Sequence, residues 1–191
     1  MNTRIEHDLL GDMELPADTW FGVQTQRAVD NFAITGVPIS HFPHFVNALA
    51  MVKAAAARAN QELGLLAPHK AEAIVAACDE IIGGRLHEAF VVDLIQGGAG
   101  TSTNMNANEV IANLALEKLG QPKGAYEHLH PNDDVNKSQS TNDAYPTAVC
   151  VGLQFATEPL VEAVASLKAA LEAKGREFAD VLKMGRTQLQ D

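Results

Sequence analysis

The residues best suited to chemistry lie in one polar stretch, residues 130–146, with the sequence HPNDDVNKSQSTNDAYP. It lacks the glycines and repeats of a flexible linker, and it leads directly into a strongly periodic helical pattern. Hydroxyl and amide side chains at a helix start form a ready anion site, because the backbone N–H groups there are unpaired and the helix dipole favours negative charge. We therefore interpret Ser140, Thr141 and Asn142 as a cradle for a carboxylate or phosphate. The alternative is that Asn142 or Thr141 only caps the helix, since N-caps favour these residue types.

A second stretch of this kind is found at residues 93–104, DLIQGGAGTSTN. Its glycines, Gly97, Gly98 and Gly100, allow a close approach of the backbone to a ligand, and residues 101–104 add hydroxyl and amide donors just before another helical pattern. The stretch is neither a P-loop nor a dinucleotide fingerprint, because the lysine of the first and the spacing of the second are missing. The alternative is a flexible connection with an N-cap, but two such clusters favour one shared anion site.

The elements that must position these clusters are helices. Apolar residues at steps of three and four predict helices over residues 44–63, from Pro68 to about Ile82, and from residue 101 until Gly120. Residues 1–40 are interrupted by glycines and prolines, which predicts an irregular arm with a short strand or turn at residues 20–25.

From about Asp143 to Lys183 the apolar residues form a heptad-like seam on a helix of roughly 40 residues, about 60 Å long. The short helices before it cannot bury such a seam, so it requires partner helices from other chains or from further sequence. We predict a mainly α protein with an N-terminal helical domain, residues 1–141, and then the first long helix of a central bundle, residues 142–191, which is incomplete. The seam consists of Leu153, Leu160, Val164, Leu167, Leu171, Phe178 and Val181.

Composition excludes several classes of function. The chain has 191 residues and a formal net charge of −10, which argues against nucleic-acid and anionic-membrane partners. No signal-like start and no apolar run of membrane-spanning length is present, so a cytoplasmic protein is predicted. Cys78 and Cys150 fall in apolar helical patterns and are predicted to be buried free thiols. No metal-ligand spacing is visible, so neither a metal site nor a cofactor is predicted.

Three motifs resemble a known family. They are QGGAGTSTNMNANEVIAN at residues 96–113, HPNDDVNKSQSTNDAYPT at residues 130–147 and KMGRTQLQD at residues 183–191. Together they resemble the aspartase/fumarase superfamily, and its ammonia-lyase branch most closely. Class II fumarases, the near neighbours, typically read GSGTQSNMN, SSND and GRTHLQD at the corresponding places.

The resemblance implies an almost wholly helical homotetramer in which four chains pool their long helices and three chains build each active site. The implied reaction is the reversible elimination of ammonia from L-aspartate to give fumarate. Its implied intermediate is a doubly charged aci-carboxylate, which neutral donors stabilise. The implied substrate-binding residues are Thr101, Ser140 and Thr141 for the β-carboxylate, and Asn142, Thr187 and Gln188 for the amino group and α-carboxylate.

The resemblance also shows what the chain lacks. The family's catalytic base is a serine on a mobile loop with the pattern GSSxMPxKxN, which is absent from these 191 residues. We therefore expect the N-terminal part of a longer enzyme, with no catalytic base of its own and no activity alone. His130, Asn132 and Asp133 match a second anion site of fumarases, although a structural turn is the alternative. Some members are activated by a divalent metal such as Mg²⁺.

Two other functions stay open at this stage. A fumarase acts on malate, but expelling hydroxide requires a proton donor, which the amide of Gln188 cannot supply. Expelling ammonia from an ammonium group requires none, so Gln188 favours an ammonia-lyase. The third function is a non-catalytic helical oligomer or anion-binding module that keeps the cradle without the chemistry.

Overall fold

The structure is a computed structural model that describes residues 2–183 and Gly185. About 60% of the chain is helical, and the described residues contain one small sheet of two strands. The predicted mainly α fold is therefore confirmed. The elements in chain order are β1 (Thr3–Asp8), β2 (Gly11–Pro16), α1 (Val23–Asn31), α2 (Pro43–Glu62), α3 (Pro68–Ile82), α4 (Thr101–Lys118) and α5 (Thr141–Glu177).

Helices α2, α3 and α4 agree with the predicted ranges to within two residues. Pro43 and Pro68 occupy the first positions of α2 and α3, where a missing N–H costs nothing. Gly64 and Gly120 follow the ends of α2 and α4 with positive φ, as expected of residues that terminate helices.

The prediction of an irregular N-terminal arm is wrong. Residues 1–40 contain an antiparallel hairpin of β1 and β2, followed by α1 where a strand or turn was expected at residues 20–25. The apolar–polar alternation that signals a strand is missing because Glu6 faces inward and is 3% exposed, whereas Ile5 is 72% exposed. Because a charged residue stands at an inward position, apolar periodicity does not predict the hairpin.

The start of α1 is capped by a carboxylate from α4. Glu109 is buried, and its oxygens accept N–H bonds from Gly22 (2.9 Å), Gln24 (2.9 Å) and Thr25 (3.0 Å). Burial raises the pKa of Glu109, and the donors of Thr25 and Gln24 act in the opposite direction. This one side chain satisfies several N–H groups that a helix start leaves unpaired, and so it fixes the arm to α4.

A second buried carboxylate, Glu6, accepts from the N–H of Val23 at 2.9 Å and from the hydroxyl of Tyr126 at 3.2 Å. Gly22 lies against both carboxylates, and a Cβ there would come within 3.0 Å of Glu6, Tyr126 and Glu109. A glycine is therefore required at residue 22 for reasons of space.

Helix α4 is buried on every side. All residues from Thr103 to Leu116 are buried, and the helix packs against α1, α2 and α3. Polar side chains in such a helix must find partners within the protein. Asn106 donates to the carbonyl of Ala89 at 3.0 Å. Asn113 likewise donates to the carbonyl of Trp20 at 2.8 Å, so these amides attach connecting segments to α4.

The predicted long helix is confirmed as α5, but it ends at Glu177, so Phe178 and Val181 of the seam lie beyond it. Gly175 falls in its last turn, where low helix propensity favours an end. The chain divides into two compact units, Met1–Leu153 and Gln154–Asp191, because the first turns of α5 pack in the first unit. The predicted domain boundary between residues 141 and 142 stays a prediction.

Within the first unit, α5 buries only small residues, namely Ala144, Ala148 and Gly152. Cys150 lies on the opposite side of the helix from Ala148 and is exposed. The prediction of two buried thiols is therefore correct for Cys78 and wrong for Cys150.

In the second unit the seam is open to solvent. Leu160, Val164, Leu167 and Leu171 are 57–64% exposed. No described residue buries them, which agrees with the expectation that this seam requires partner helices.

By length and composition alone, α5 is also apolar enough to cross a membrane, with a mean hydropathy of 1.3 over its most apolar 18 residues. It is the one such helix among the described residues. The sequence reading missed it because alanine, valine and threonine raise the mean without forming a continuous apolar run. This evidence is weak, since helices that pack in the core of soluble bundles pass the same test, and the apolar residues follow one seam.

Replacing Glu109 by Gln should lower the free energy of unfolding by about 2 kcal/mol, because an amide NH₂ would face the N–H groups of α1 and leave them unpaired. Urea denaturation of the chain measures this change. The control is Glu117→Gln on the same helix, where a half-exposed side chain pairs with Arg85 and a loss below about 1 kcal/mol is expected. Equal losses in the two variants would contradict the capping role.

Candidate functional site

The two polar clusters of the sequence lie side by side, because the first turns of α4 and α5 touch. Asn104 on α4 donates to the hydroxyl of Thr141 on α5 at 3.3 Å. The ring of Tyr145 on α5 lies against the backbone of Gly100, the residue before α4. The structure thus brings Thr101 and Thr141, the first residues of the two helices, into one region.

Ser140 is the residue that caps α5. Its hydroxyl accepts the N–H of Asn142 at 3.2 Å, and the carboxylate of Asp143 accepts the N–H of Ser140 at 3.2 Å, a reciprocal arrangement known as a capping box. The capping alternative had named Asn142 or Thr141, so it is wrong about the residue. A hydroxyl that accepts one bond still has its own proton to donate, and Ser140 and Asn142 are exposed.

Thr141 is oriented for donation. Its oxygen accepts from Asn104, so its O–H points elsewhere and is available to an anion. Thr101 differs, because its hydroxyl donates to the carbonyl of Gly98 at 2.7 Å. It must rotate away from Gly98 before it can bind a ligand.

The glycine-rich loop before α4 has an unusual backbone. Gly98, Ala99 and Gly100 have φ of 77°, 48° and 88°. Only glycine adopts such angles without strain, and Ala99 is held there by its surroundings. Three successive residues of this kind turn the chain sharply into Thr101.

Asp93 anchors the segment that leads into this loop. Its carboxylate accepts N–H bonds from Ile95 (2.8 Å), Thr35 (2.7 Å) and Gly36 (2.8 Å). Burial alone would raise the pKa of Asp93, but these donors and the Thr35 hydroxyl hold it well below its ordinary value. Asp93 therefore stays ionised and fixes residues 34–36 to the approach of the glycine-rich loop.

Behind the cradle lies Lys53, a residue of α2 that the sequence reading did not single out. Its side chain is fully buried, and Nζ donates to three amide oxygens, those of Asn104 (2.6 Å), Asn136 (2.8 Å) and Gln139 (3.0 Å). It thereby joins α2, the first turn of α4 and the loop before Ser140. The sequence gives little sign of this role, because a lysine in an alanine-rich helix usually faces solvent.

Opposing effects act on the pKa of Lys53. Burial lowers its pKa to about 7, and the negative charge of Asp143 acts in the opposite direction. The three acceptors also favour the ammonium form, since a neutral amine has only two N–H groups to offer. The NH₂ group of Asn136 donates to the carbonyl of Gln139 at 3.1 Å, which keeps its oxygen turned toward the lysine.

Two further side chains brace the same loop from outside. Asn60 accepts from the hydroxyl of Ser138 at 2.8 Å and donates to the carbonyl of Lys137 at 2.9 Å, and Ser138 has a φ of 60°. Lys70 pairs with Asp134 at 2.7 Å. The loop before Ser140 is therefore held from α2 and α3.

His130, Asn132 and Asp133 share one turn. The His130 ring nitrogen Nδ1 accepts the N–H of Asn132 at 3.2 Å and that of Asp133 at 3.1 Å, which caps the short π-helix Pro131–Val135. This is the geometry of a structural turn, and the second anion site stays a prediction. Thr187 and Gln188 lie outside the described residues.

A cleft of about 490 Å³ opens beside the cradle. Among the described residues, no group of three or more His, Cys, Asp or Glu is arranged to hold a metal ion. The arrangement offers hydroxyl, amide and backbone donors for a small anion. The cleft is lined by Leu94, Ile95, Gln96, Ala99, Gly100, Asn142, Tyr145 and Pro146.

A family model described as lyase matches residues 11–191. The chain belongs to this lyase family. The aspartate ammonia-lyase of Pseudomonas aeruginosa is 63% identical over 190 residues, which cover the whole chain and 40% of that protein. The resemblance to the ammonia-lyase branch of the aspartase/fumarase superfamily is thus confirmed.

Solved structures of the lyase family agree in fold. A fumarate lyase:delta crystallin from Brucella melitensis has a TM-score of 0.97 and 61% identity, covering the whole chain and 44% of that protein. A class II fumarase from Schistosoma mansoni has a TM-score of 0.91 at 35% identity, covering the whole chain and 40% of that protein. The chain therefore spans about 40% of the length of the relatives that it matches.

Replacing Lys53 by Met should destabilise the chain by about 2–3 kcal/mol, because the amide oxygens of Asn104, Asn136 and Gln139 each lose one donor. Thermal and urea unfolding measure the change. Lys70→Met is the control: Lys70 holds the same loop through a partly exposed ion pair, so a loss of about 1 kcal/mol or less is expected. A Lys53→Met chain as stable as the control would show that the buried ammonium does not organise the loop.

Proposed function

We propose that the complete protein containing this chain is an aspartate ammonia-lyase that converts L-aspartate reversibly into fumarate and ammonia. The observation that carries the proposal is the meeting of two helix starts, at Thr101 and Thr141, beside a small cleft that Asn142 lines. The 63% identity to an aspartate ammonia-lyase supports it, but that comparison covers less than half of the relative.

The chemical difficulty is the proton on Cβ of aspartate, which no side-chain base removes unless the resulting charge is stabilised. Loss of this proton places a second negative charge on the β-carboxylate. Oriented donors that bind more strongly as this charge develops lower the barrier without binding the ground state equally well. Thr101, Ser140 and Thr141 are proposed to hold the β-carboxylate, and the exposed cap hydroxyl and the oriented Thr141 hydroxyl are suited to this role.

The amino group and α-carboxylate are assigned to Asn142, Thr187 and Gln188. Asn142 lines the cleft, which supports its assignment, while Thr187 and Gln188 are proposed from the motif alone. Gln188 favours release of ammonia over release of water, because an amide cannot protonate a departing hydroxide.

A fumarase is the second candidate, supported by the fold shared with the Schistosoma enzyme. The identity of 35% to that fumarase is well below the 63% to an aspartate ammonia-lyase. Kinetics of the complete protein with L-aspartate and L-malate separate the two activities. Turnover of malate but not of aspartate would contradict the proposal.

The site is proposed to be completed by other chains of a cytoplasmic homotetramer. The exposed seam of α5 supports association, because contiguous apolar residues on a surface mark interaction sites. The base is proposed to lie on a segment outside this chain. Activation by a divalent metal finds no ligand set among the described residues, so no step is assigned to a metal.

The chain by itself should release no fumarate from L-aspartate, because it lacks the GSSxMPxKxN loop that carries the base. Absorbance of fumarate in an assay of the purified chain tests this, with the complete protein as the positive control. Robust turnover by the chain would contradict it. If the gene instead stops after the codon for Asp191, the non-catalytic anion-binding module becomes the better hypothesis.

In the complete protein, Thr141→Val should lower kcat by about 10²–10³-fold, because it removes one oriented donor for the developing charge. The control is Ser102→Ala, a hydroxyl on the same helix start as Thr101 that lines a different cleft, beside Arg27 and Phe32. Its kcat should stay within about twofold. Equal losses would indicate general disturbance of the helix starts rather than loss of a donor.

A further inference from the structure

The contact between Tyr145 and Gly100 is not explained by the proposed chemistry. A Cβ built on Gly100 would lie within 3.0 Å of three carbons of the Tyr145 ring. The ring therefore occupies the space that any side chain at residue 100 would need. Gly100 immediately precedes Thr101, and Tyr145 lies one helical turn after Thr141.

A second contact also joins the helix starts. Thr141 meets Asn104, and Tyr145 meets Gly100. Thr141 and Tyr145 are four residues apart, and so are Gly100 and Asn104. This spacing places the two members of each pair on one side of the chain. A single contact would leave one helix start free to pivot on the other, whereas two contacts one turn apart fix their orientation.

The ring is also held from behind. Phe45, in the first turn of α2, packs edge-on against Tyr145 with ring centroids 5.7 Å apart and an interplanar angle of 86°. Aromatic pairs favour this geometry. The Tyr145 ring therefore fills the space between the start of α2 and the glycine-rich loop.

We infer that Tyr145 is a positioning residue, whose ring seated on Gly100 sets the separation of the donors at the two helix starts. This inference rests on the proposed function, because it assigns the contact a role in aligning Thr101 with Thr141. The ring carries the role and the hydroxyl does not, since the Tyr145 hydroxyl makes no hydrogen bond to any other described residue.

The experiment compares variants of the complete protein by steady-state kinetics and thermal unfolding. Tyr145→Phe keeps the ring, so kcat and KM should stay within about twofold. Tyr145→Ala should lower kcat by about 10–100-fold and change KM by less than about threefold, because misplaced donors fail mainly in the transition state. A fall in kcat of the Phe variant, or a change confined to KM, would overturn the inference.

Ala148→Gly is the matched control for stability. Ala148 is buried on the same helix, and glycine there loosens α5 without touching Gly100 or Thr141. The control should lower the melting temperature while leaving kcat near that of the wild type. If its kcat falls as far as that of Tyr145→Ala, the role of Tyr145 is general stability and the inference is overturned.

A double-mutant cycle gives the sharpest result. Gly100→Ala should lower kcat strongly, because its Cβ would overlap the ring and its φ of 88° disfavours alanine. Removing the ring makes room for that Cβ, so Tyr145→Ala combined with Gly100→Ala should lose less than the product of the single losses. Losses that multiply would overturn the inference.

Failure of the proposed function can be distinguished from failure of this inference. If the wild type acts on malate and not on aspartate, the proposed function fails, and the same ratios measured with malate decide the inference. If it turns over neither, calorimetric binding of fumarate replaces kinetics, and affinity should fall in Tyr145→Ala but not in Tyr145→Phe or Ala148→Gly. A wild type that neither turns over nor binds a dicarboxylate overturns both.

Discussion

The first unit depends on one buried ammonium. Lys53 lies where three elements meet and donates to an amide oxygen from α4 and to two from the loop before α5. A buried charge is costly unless every hydrogen bond is made, so the segments around Lys53 must keep these three oxygens in place. The helix starts that carry Thr101 and Thr141 are joined to this arrangement, because Asn104 accepts from the lysine and donates to Thr141.

Neutral acceptors around a cation have an electrostatic consequence. The amide oxygens stabilise the charge of Lys53 without cancelling it as a direct ion pair would, and the more distant carboxylate of Asp143 reduces its field. That field lies behind a helix start that already favours anions. Together with the donors of Ser140 and Thr141, it gives a protein of net charge −10 a local region suited to a small anion.

Much of the fold and of the candidate site could be predicted from sequence, for identifiable reasons. Helices α2, α3 and α4 are flanked by proline and glycine signals, and α5 has a regular seam, so these helices could be predicted from the sequence. The clusters around Thr101 and Ser140 stood out because polar residues accumulate where a core pattern begins. Lys53, Glu6 and Glu109 escaped notice because each is a charged residue at a buried position. Their partners lie far away in the sequence, and periodicity carries no information about such contacts.

Three glycines, Gly22, Gly100 and Gly152, each stand where another part of the chain occupies the space of a side chain. Gly22 faces two carboxylates, Gly100 faces the ring of Tyr145, and Gly152 faces the backbone of His44 and Phe45. The tolerance of such contacts to change is one-sided. A smaller side chain at the larger partner should cause a graded loss, whereas a Cβ at Gly22 or Gly100 would come within 3.0 Å of its neighbours. At Gly152 the nearest atoms are main chain at 3.1–3.4 Å, which no substitution can shorten. Substitutions at the larger partners should therefore be tolerated more often than substitutions at these glycines.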